Sequence, residues 1–91
     1  MNTTAFEASL RSDGYDVSTT KTPANKATQP HHHDFDVRAM ILSGELTLTR
    51  DGVATTYRAG EVFEMPAGCQ HSERYGPDGA ESLVGRRPIR A

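Results

Sequence analysis

Residues 60–71 read GEVFEMPAGCQH, and the spacing of four of them decides how the rest of the chain is read. Gly60, Pro66, Gly68 and His71 follow the order Gly-x5-Pro-x-Gly-x2-His. Glycine supplies positive φ or close backbone approach at a tight corner, and proline fixes φ. Pro66 and Gly68 therefore bend the chain and deliver His71 onto the strand that follows. The histidine has partners in a second stretch, residues 29–45, QPHHHDFDVRAMILSGE. On a strand, His31 and His33 point to the same side with α-carbons ~6.6 Å apart, since each residue advances ~3.3 Å. Two imidazoles at that spacing can converge on one ion, while His32 points away. Alone, His-x-His also suits polar residues at a strand edge, so a third ligand has to come from a distant strand. His71 is the only other histidine in the chain.

Around these two stretches the chain reads as strands and turns. TTAFEASLRSDGYD near the start predicts one short helix: Thr4 and Glu7 have capping-box spacing, Phe6 and Leu10 share a face, and Gly14 is a natural stop. YDVSTTKT is rich in β-branched residues and predicts a strand, followed by an irregular Pro/Asn/Lys/Gln stretch from Pro23 to Pro30. VRAMILS is apolar on both faces and looks central, whereas ELTLTR alternates and looks half-exposed. Asp51-Gly52 between LTLTR and VATTYR is the strongest short hairpin signal, and Ala59-Gly60, Pro66-Ala67-Gly68 and Gly76-Pro77-Asp78-Gly79 predict the remaining turns. No long helical period separates the later strands, so a sandwich or barrel is expected rather than βαβ units, with a closed sheet to protect its edges.

The bulk properties bound the function. Ninety-one residues, 35% hydrophobic and without tryptophan, make one small domain with a thin core that a metal or a second copy would help to hold. A net charge of -2 with scattered Lys and Arg gives no basic face for nucleic acid. The single cysteine, Cys69, allows no internal disulfide, and no apolar run approaches the ~18 residues of a membrane span. With no signal-like segment, the expected location is the cytoplasm.

Taken together, the two stretches resemble the cupin family. GEVFEMPAGCQH is similar to the second cupin motif over its whole length. His31, His33 and Gly44 match the first motif, which runs His-x-His, three or four residues, Glu, then Gly after six more. The resemblance covers residues 29–75 and implies an all-β fold, a small β-barrel or conical jelly roll. We expect a helix over residues 1–14 packed on a single barrel domain over 15–91. It also implies that His31, His33 and His71 converge on a divalent metal inside the barrel, and that two copies form a homodimer.

Two positions depart from the pattern. The family's usual glutamate falls at Val37, which in that register faces inward as an apolar wall residue, while Asp36 faces outward unless a bulge near Phe35 turns it in as a fourth ligand. The Asn that often closes the second motif is replaced by Tyr75. Three neutral imidazoles leave the full charge on the ion, which favours acidic bound water and anionic ligands. Zinc, iron, nickel, manganese and copper all suit such a site. Glu73 and Tyr75 alternate in phase with His71, so Glu73 is a candidate general base, second-shell acceptor or replacement ligand, and Tyr75 a candidate donor to substrate oxygen. The bland alternatives are a charge at the barrel mouth and a packing aromatic. Cys69 reads better as a small buried hydrophobe than as a reactive thiol. Met40, Ile41, Leu46, Leu48, Phe63 and Met65 should be core or pocket lining. Arg86 and Arg87 alternate across the last strand, which turns one of them toward the pocket or a partner unless that end is simply solvated.

Three functions are compatible with these residues. The leading one is a metal-binding single-domain cupin that takes a small, oxygen-rich molecule into an open coordination position, with an oxygenase as the enzyme class the resemblance implies. The second is a non-catalytic binding or sensing module with structural metal. The third is a metal-free small-molecule or carbohydrate binder whose histidines make hydrogen bonds.

Overall fold

The computed structural model describes residues 2–88, so the last three positions of the expected domain, Arg90 among them, lie outside the described residues. The elements are one helix, α1 (Thr3–Ser12), and five strands: β1 (Asp16–Thr22), β2 (Phe35–Arg50), β3 (Val53–Arg58), β4 (Val62–Met65) and β5 (Ser72–Pro88). The cap of α1 is Asn2 rather than Thr4: its side-chain oxygen accepts from the N–H groups of Thr4 at 2.8 Å and Ala5 at 3.3 Å. Glu7 reaches forward to Arg11 instead of back to the cap. Gly14 follows the last turn at φ +83°, and Phe6 and Leu10 are both buried.

Two long strands organise everything else. β2 and β5 pair antiparallel from Phe35↔Pro88 to Thr49↔Ser72. The free side of β2 takes β4 along Val37–Met40 and β3 along Glu45–Arg50. The free side of β5 takes β1 along its C-terminal half, while single bridges Ala27↔Arg74 and His31↔His71 cover its start. The sheet order is β1-β5-β2-β3, with β4 beside β2, and β1 does not pair with β3 or β4 among the described residues. The closed barrel expected from the sequence is therefore corrected: among the described residues the antiparallel sheet is not closed.

Two predicted breaks are also corrected. VRAMILS and ELTLTR are one continuous strand, and Gly76–Gly79 is an excursion within β5 rather than a turn between strands. Both lie where the β2–β5 register shifts, between Ile41 and Ser43 and between Gly44 and Leu46. There Gly44 pairs with Ala80 but Leu46 pairs with Tyr75, so Glu45 alone stands opposite the four residues of the excursion. An irregularity of this kind flips which face each side chain occupies. Val37, Ala39 and Ile41 reach the inner cluster from odd positions, whereas Leu46 and Leu48 reach it from even ones. On β5 the inner positions change from Glu73 and Tyr75 to Ser82, Val84 and Arg86.

The sheet thus separates two apolar clusters. The inner one holds Val37, Ala39, Ile41, Leu46, Leu48, Phe63, Met65 and Val84. On the outer face α1 places Phe6 and Leu10 over Met40 and Leu83. This explains why AMIL is apolar on both sides: alternate residues serve different clusters. Burial of each large aliphatic side chain contributes roughly 1.5–3 kcal/mol, so neither cluster is dispensable in a domain of this size.

Candidate metal centre

The three histidines meet as the resemblance implies. His31 and His71, forty residues apart in sequence, exchange backbone hydrogen bonds of 2.8 and 2.9 Å and set their rings on neighbouring chains. The N–H of Gly68 donates to the carbonyl of His33 at 2.9 Å, which ties the Pro66–Gly68 corner to the other histidine segment. Gly68 does so at φ +81°, the conformation its residue type allows. Ring centroids are 4.9 Å apart for His31 and His33, 4.4 Å for His31 and His71, and 5.2 Å for His33 and His71. One ring nitrogen from each of the three lies within 4.8 Å of the others.

The hydrogen bonds fix the tautomers of two rings. Nδ1 of His31 lies 2.7 Å from the carbonyl oxygen of Gln29, and Nδ1 of His71 lies 3.0 Å from that of Cys69. A carbonyl oxygen only accepts, so each Nδ1 carries the proton, and in the neutral imidazole each Nε2 then presents a lone pair. Nε2 of His71 is fully buried and has no hydrogen-bond partner. Glu73 Oε1, another acceptor, stands 3.4 Å from Nε2 of His31 and 3.7 Å from Nε2 of His71. Three lone-pair donors therefore face one another, an arrangement that a cation satisfies. Two donors bound to one ion at ~2.1 Å in tetrahedral geometry would be ~3.4 Å apart, so the carboxylate–imidazole spacing fits the donor set of such an ion. Burial pushes the His33 pKa below its usual value, helped by the neighbouring His31 and His71 and, more weakly, Arg86. His33 is accordingly neutral at pH 7, with a lone pair available.

Tyr75 donates to Glu73 Oε2 at 2.8 Å, so it holds the carboxylate that faces the histidines. Burial first, and then the Glu73 charge, raise the Tyr75 pKa far above its ordinary value, which keeps the phenol a donor at any accessible pH. Val37 is buried on the inner face, as expected from its register. Asp36 is on other duty: Oδ1 accepts from the Ala67 N–H at 2.8 Å and Oδ2 from Arg87 at 3.1 Å. Arg87 also donates to the carbonyl of Asp13 and stacks 4.5 Å over the Tyr15 ring. Asp36 thus braces the corner that delivers His71.

This brace has a testable pH signature. The Ala67 N–H, and then Arg87, hold the Asp36 pKa below the usual carboxylate value. A depressed folded-state pKa contributes stability above the unfolded value of ~3.9 and loses it as pH falls through the folded value. Asp36→Asn should therefore be less stable than wild type at pH 7, and the difference should shrink below pH 4 as wild type loses the same charge. Urea unfolding of both proteins from pH 7 to pH 3 measures it, and a constant difference contradicts the brace.

Beside the histidines lies a cavity of about 260 Å³. Val37, Leu46, Phe63, Met65 and Val84 line it with apolar side chains, and Thr20, Thr22, Thr28 and Ser82 line it with hydroxyl-bearing ones. His33, Glu73 and Tyr75 border it, as do Lys26 and Arg86. Sequence reading missed the threonines and Lys26. They lie on β1 and in the stretch read as irregular edge, and what brings that stretch here is backbone bonding: Thr28 N–H to the Glu73 carbonyl at 2.9 Å and Tyr75 N–H to that of Lys26 at 2.8 Å. A polar stretch without periodicity carries no sign of such a partner. Of the adjacent arginines, Arg86 borders the cavity and Arg87 is on the outer face.

An antiparallel β fold whose two long strands and corner loops gather three imidazoles beside a cavity is the arrangement the two sequence motifs led us to expect of a cupin. The Cupin domain family matches residues 19–78, well over half of the chain, and the protein belongs to the cupin family. Comparison with curated proteins gives no match. Among solved structures it is similar to a protein of unknown function from Rhizobium leguminosarum bv. viciae 3841, with TM-score 0.76, 21% identity, and coverage of 85% of this chain and 73% of that one. It is similar to an RmlC-like cupin from Shewanella frigidimarina NCIMB 400, with TM-score 0.71, 21% identity and coverage of 84% and 68%. KdgF from Halomonas sp. aligns with TM-score 0.67, 20% identity and coverage of 81% and 68%. At these identities the likeness concerns the fold. Among the described residues no helix is long and apolar enough to cross a membrane.

Proposed function

We propose that the protein is a metal-dependent cupin in which His31, His33 and His71 hold a divalent ion, with Glu73 beside it and a small oxygen-rich molecule in the adjoining cavity. The observation that carries this reading is the pair of Nδ1–carbonyl bonds, which leave the Nε2 lone pairs of His31 and His71 aimed at one another and at Glu73. A divalent ion at that point supplies Lewis acidity and, if it is redox-active, a place for oxygen chemistry. The chain's own residues do the rest. The Gln29 and Cys69 carbonyls orient two of the imidazoles. Tyr75 donates to Glu73 Oε2, which leaves Oε1 turned to the imidazoles as a further donor to the ion. The apolar wall excludes water from one side of the bound molecule. Glu73 stands in for the carboxylate missing at Val37, entering from β5 rather than β2.

The test is element analysis of protein prepared without an affinity tag, stripped with chelator and reloaded in turn with zinc, iron, nickel, manganese and copper. One equivalent retained through desalting is expected, together with oxygen or substrate chemistry confined to redox metals. No retention of any of the five removes the proposal. A non-catalytic module with structural metal is the second reading, favoured by the absence of a carboxylate at Val37. It predicts bound metal with no exchangeable water, which water-proton relaxation on manganese-loaded protein distinguishes.

A further inference from the structure

The position that departs from the family pattern has a cross-strand partner, and that partner is a cation on the cavity wall. Val37 of β2 stands directly opposite Arg86 of β5. Side chains of such a pair share a face of the sheet, and both border the cavity. A carboxylate at position 37 would be within reach of the guanidinium. With valine there, Arg86 has one hydrogen bond, from Nη1 to the Ser18 hydroxyl at 2.9 Å. Arg11, Arg38, Arg58 and Arg87 each pair with a carboxylate. Among the described residues no carboxylate pairs with Arg86, so most of its five donors face the cavity or solvent. Lys26 is a second cation on the same cavity, and among the described residues Glu73 is its only carboxylate. The lining therefore carries two positive charges against one negative before any metal is counted.

We infer that Arg86 is an anion anchor and that the ligand is a small organic acid, its carboxylate on the guanidinium and an oxygen at its other end directed to the histidines. The inference deepens the metal-centre reading and rests on it for the second contact, whereas the first contact stands without it. The planar fork of arginine matches a carboxylate with two parallel hydrogen bonds. The aliphatic and aromatic side chains of Val37, Leu46, Phe63, Met65 and Val84 on the same lining suit a short carbon skeleton. The volume of about 260 Å³ is below the ~300 Å³ at which pockets for drug-sized ligands begin. Phosphate would satisfy the guanidinium but leave the apolar wall uncovered.

Calorimetric titration with acetate, butyrate, succinate, benzoate and inorganic phosphate, and with the uncharged amides butyramide and succinamide, tests the inference. Each is titrated into chelator-stripped and metal-loaded protein. We expect a carboxylate to bind wild type more tightly than its amide or phosphate, Arg86→Gln to weaken that carboxylate at least tenfold, and Arg86→Lys to be intermediate. The weak amide binding should be the same in wild type and Arg86→Gln, which shows the cavity to be intact. Lys26→Gln should cost less than threefold. Arg86 dependence with equal affinity in stripped and loaded protein supports the anchor while removing the metal contact. Metal dependence with no Arg86 dependence removes the anchor and leaves the metal centre standing. Absence of carboxylate binding to wild type, tighter phosphate binding, or a larger loss from Lys26→Gln than from Arg86→Gln overturns the inference.

Discussion

His71→Ala is expected to lose its metal almost completely while keeping its fold. His71 is 2% exposed, and its Nε2 is one of two lone pairs that the backbone holds in place. Losing one of three imidazoles removes a coordination bond, a larger loss than the 10–100-fold in affinity that removal of an outer-shell partner typically costs. The backbone exchange between residues 31 and 71 needs no imidazole, so the strands remain tied. Two measurements separate the outcomes. Element analysis should fall from one equivalent to near zero, with the exposed His32→Ala unchanged. In wild type, metal at 100 times its dissociation constant stabilises by about 2.7 kcal/mol, which corresponds to roughly 10–20 °C in Tm for a domain of this size. Chelator should remove that increment from wild type and do nothing to His71→Ala. If His71→Ala keeps both its metal and its response to chelator, the ion binds elsewhere. If wild type never responds, the histidines form a hydrogen-bonding wall and the third reading of the sequence takes over.

The largest expected effect on folding is at Gly44. It has φ +76°, and a Cβ there would overlap the carbonyl oxygen of Gly79 and crowd the Cα of Ala80 across the strand. Those atoms belong to the excursion that resets the faces of β5, so neither strand is free to yield. The left-handed backbone costs an L residue roughly 1–2 kcal/mol and an overpacked contact roughly 1–3 kcal/mol, so Gly44→Ala should lose about 3 kcal/mol or more. A domain of 91 residues has a stability of about 5–14 kcal/mol, so this is a substantial part of the whole. Gly52→Ala is the control: φ is +77°, but a Cβ there meets nothing within 4 Å, so only the backbone component is expected. Urea unfolding of the two variants measures the difference. Equal losses would mean that the β2–β5 crossing adjusts freely, contrary to the tight approach at Gly44.

Most of the site was legible because it depends on local chemistry repeated at fixed intervals. Turn glycines, a proline and three histidines at set spacings led to the meeting of rings that the structure contains, and the phase of Glu73 and Tyr75 with His71 followed from strand alternation. What escaped reading depends on pairing. Whether ILSGE is a turn or a bend inside one strand is decided by the partner it lies against, and the Gly76–Gly79 excursion makes sense only opposite Glu45. Closure failed as an expectation for the same reason: period-2 patterns show which face is buried but not whether the two edges of a sheet meet. The capping box failed to a competitor two residues earlier, since Asn2 is as good a cap as Thr4 and comes first. Arg86 and Arg87 were interchangeable in sequence, and only the register with Val37 and Asp36 tells them apart.

The helix and the cavity sit on opposite sides of one sheet, and the strands between them are shared while the side chains are not. The molecule therefore has a partition wall. Substitutions at Phe6, Leu10, Met40 or Leu83 can tune how firmly the wall stands, and substitutions at Phe63, Met65 or Val84 can reshape the chamber behind it, each set largely independent of the other. A lineage or a protein engineer working on this scaffold can vary the two sets one at a time.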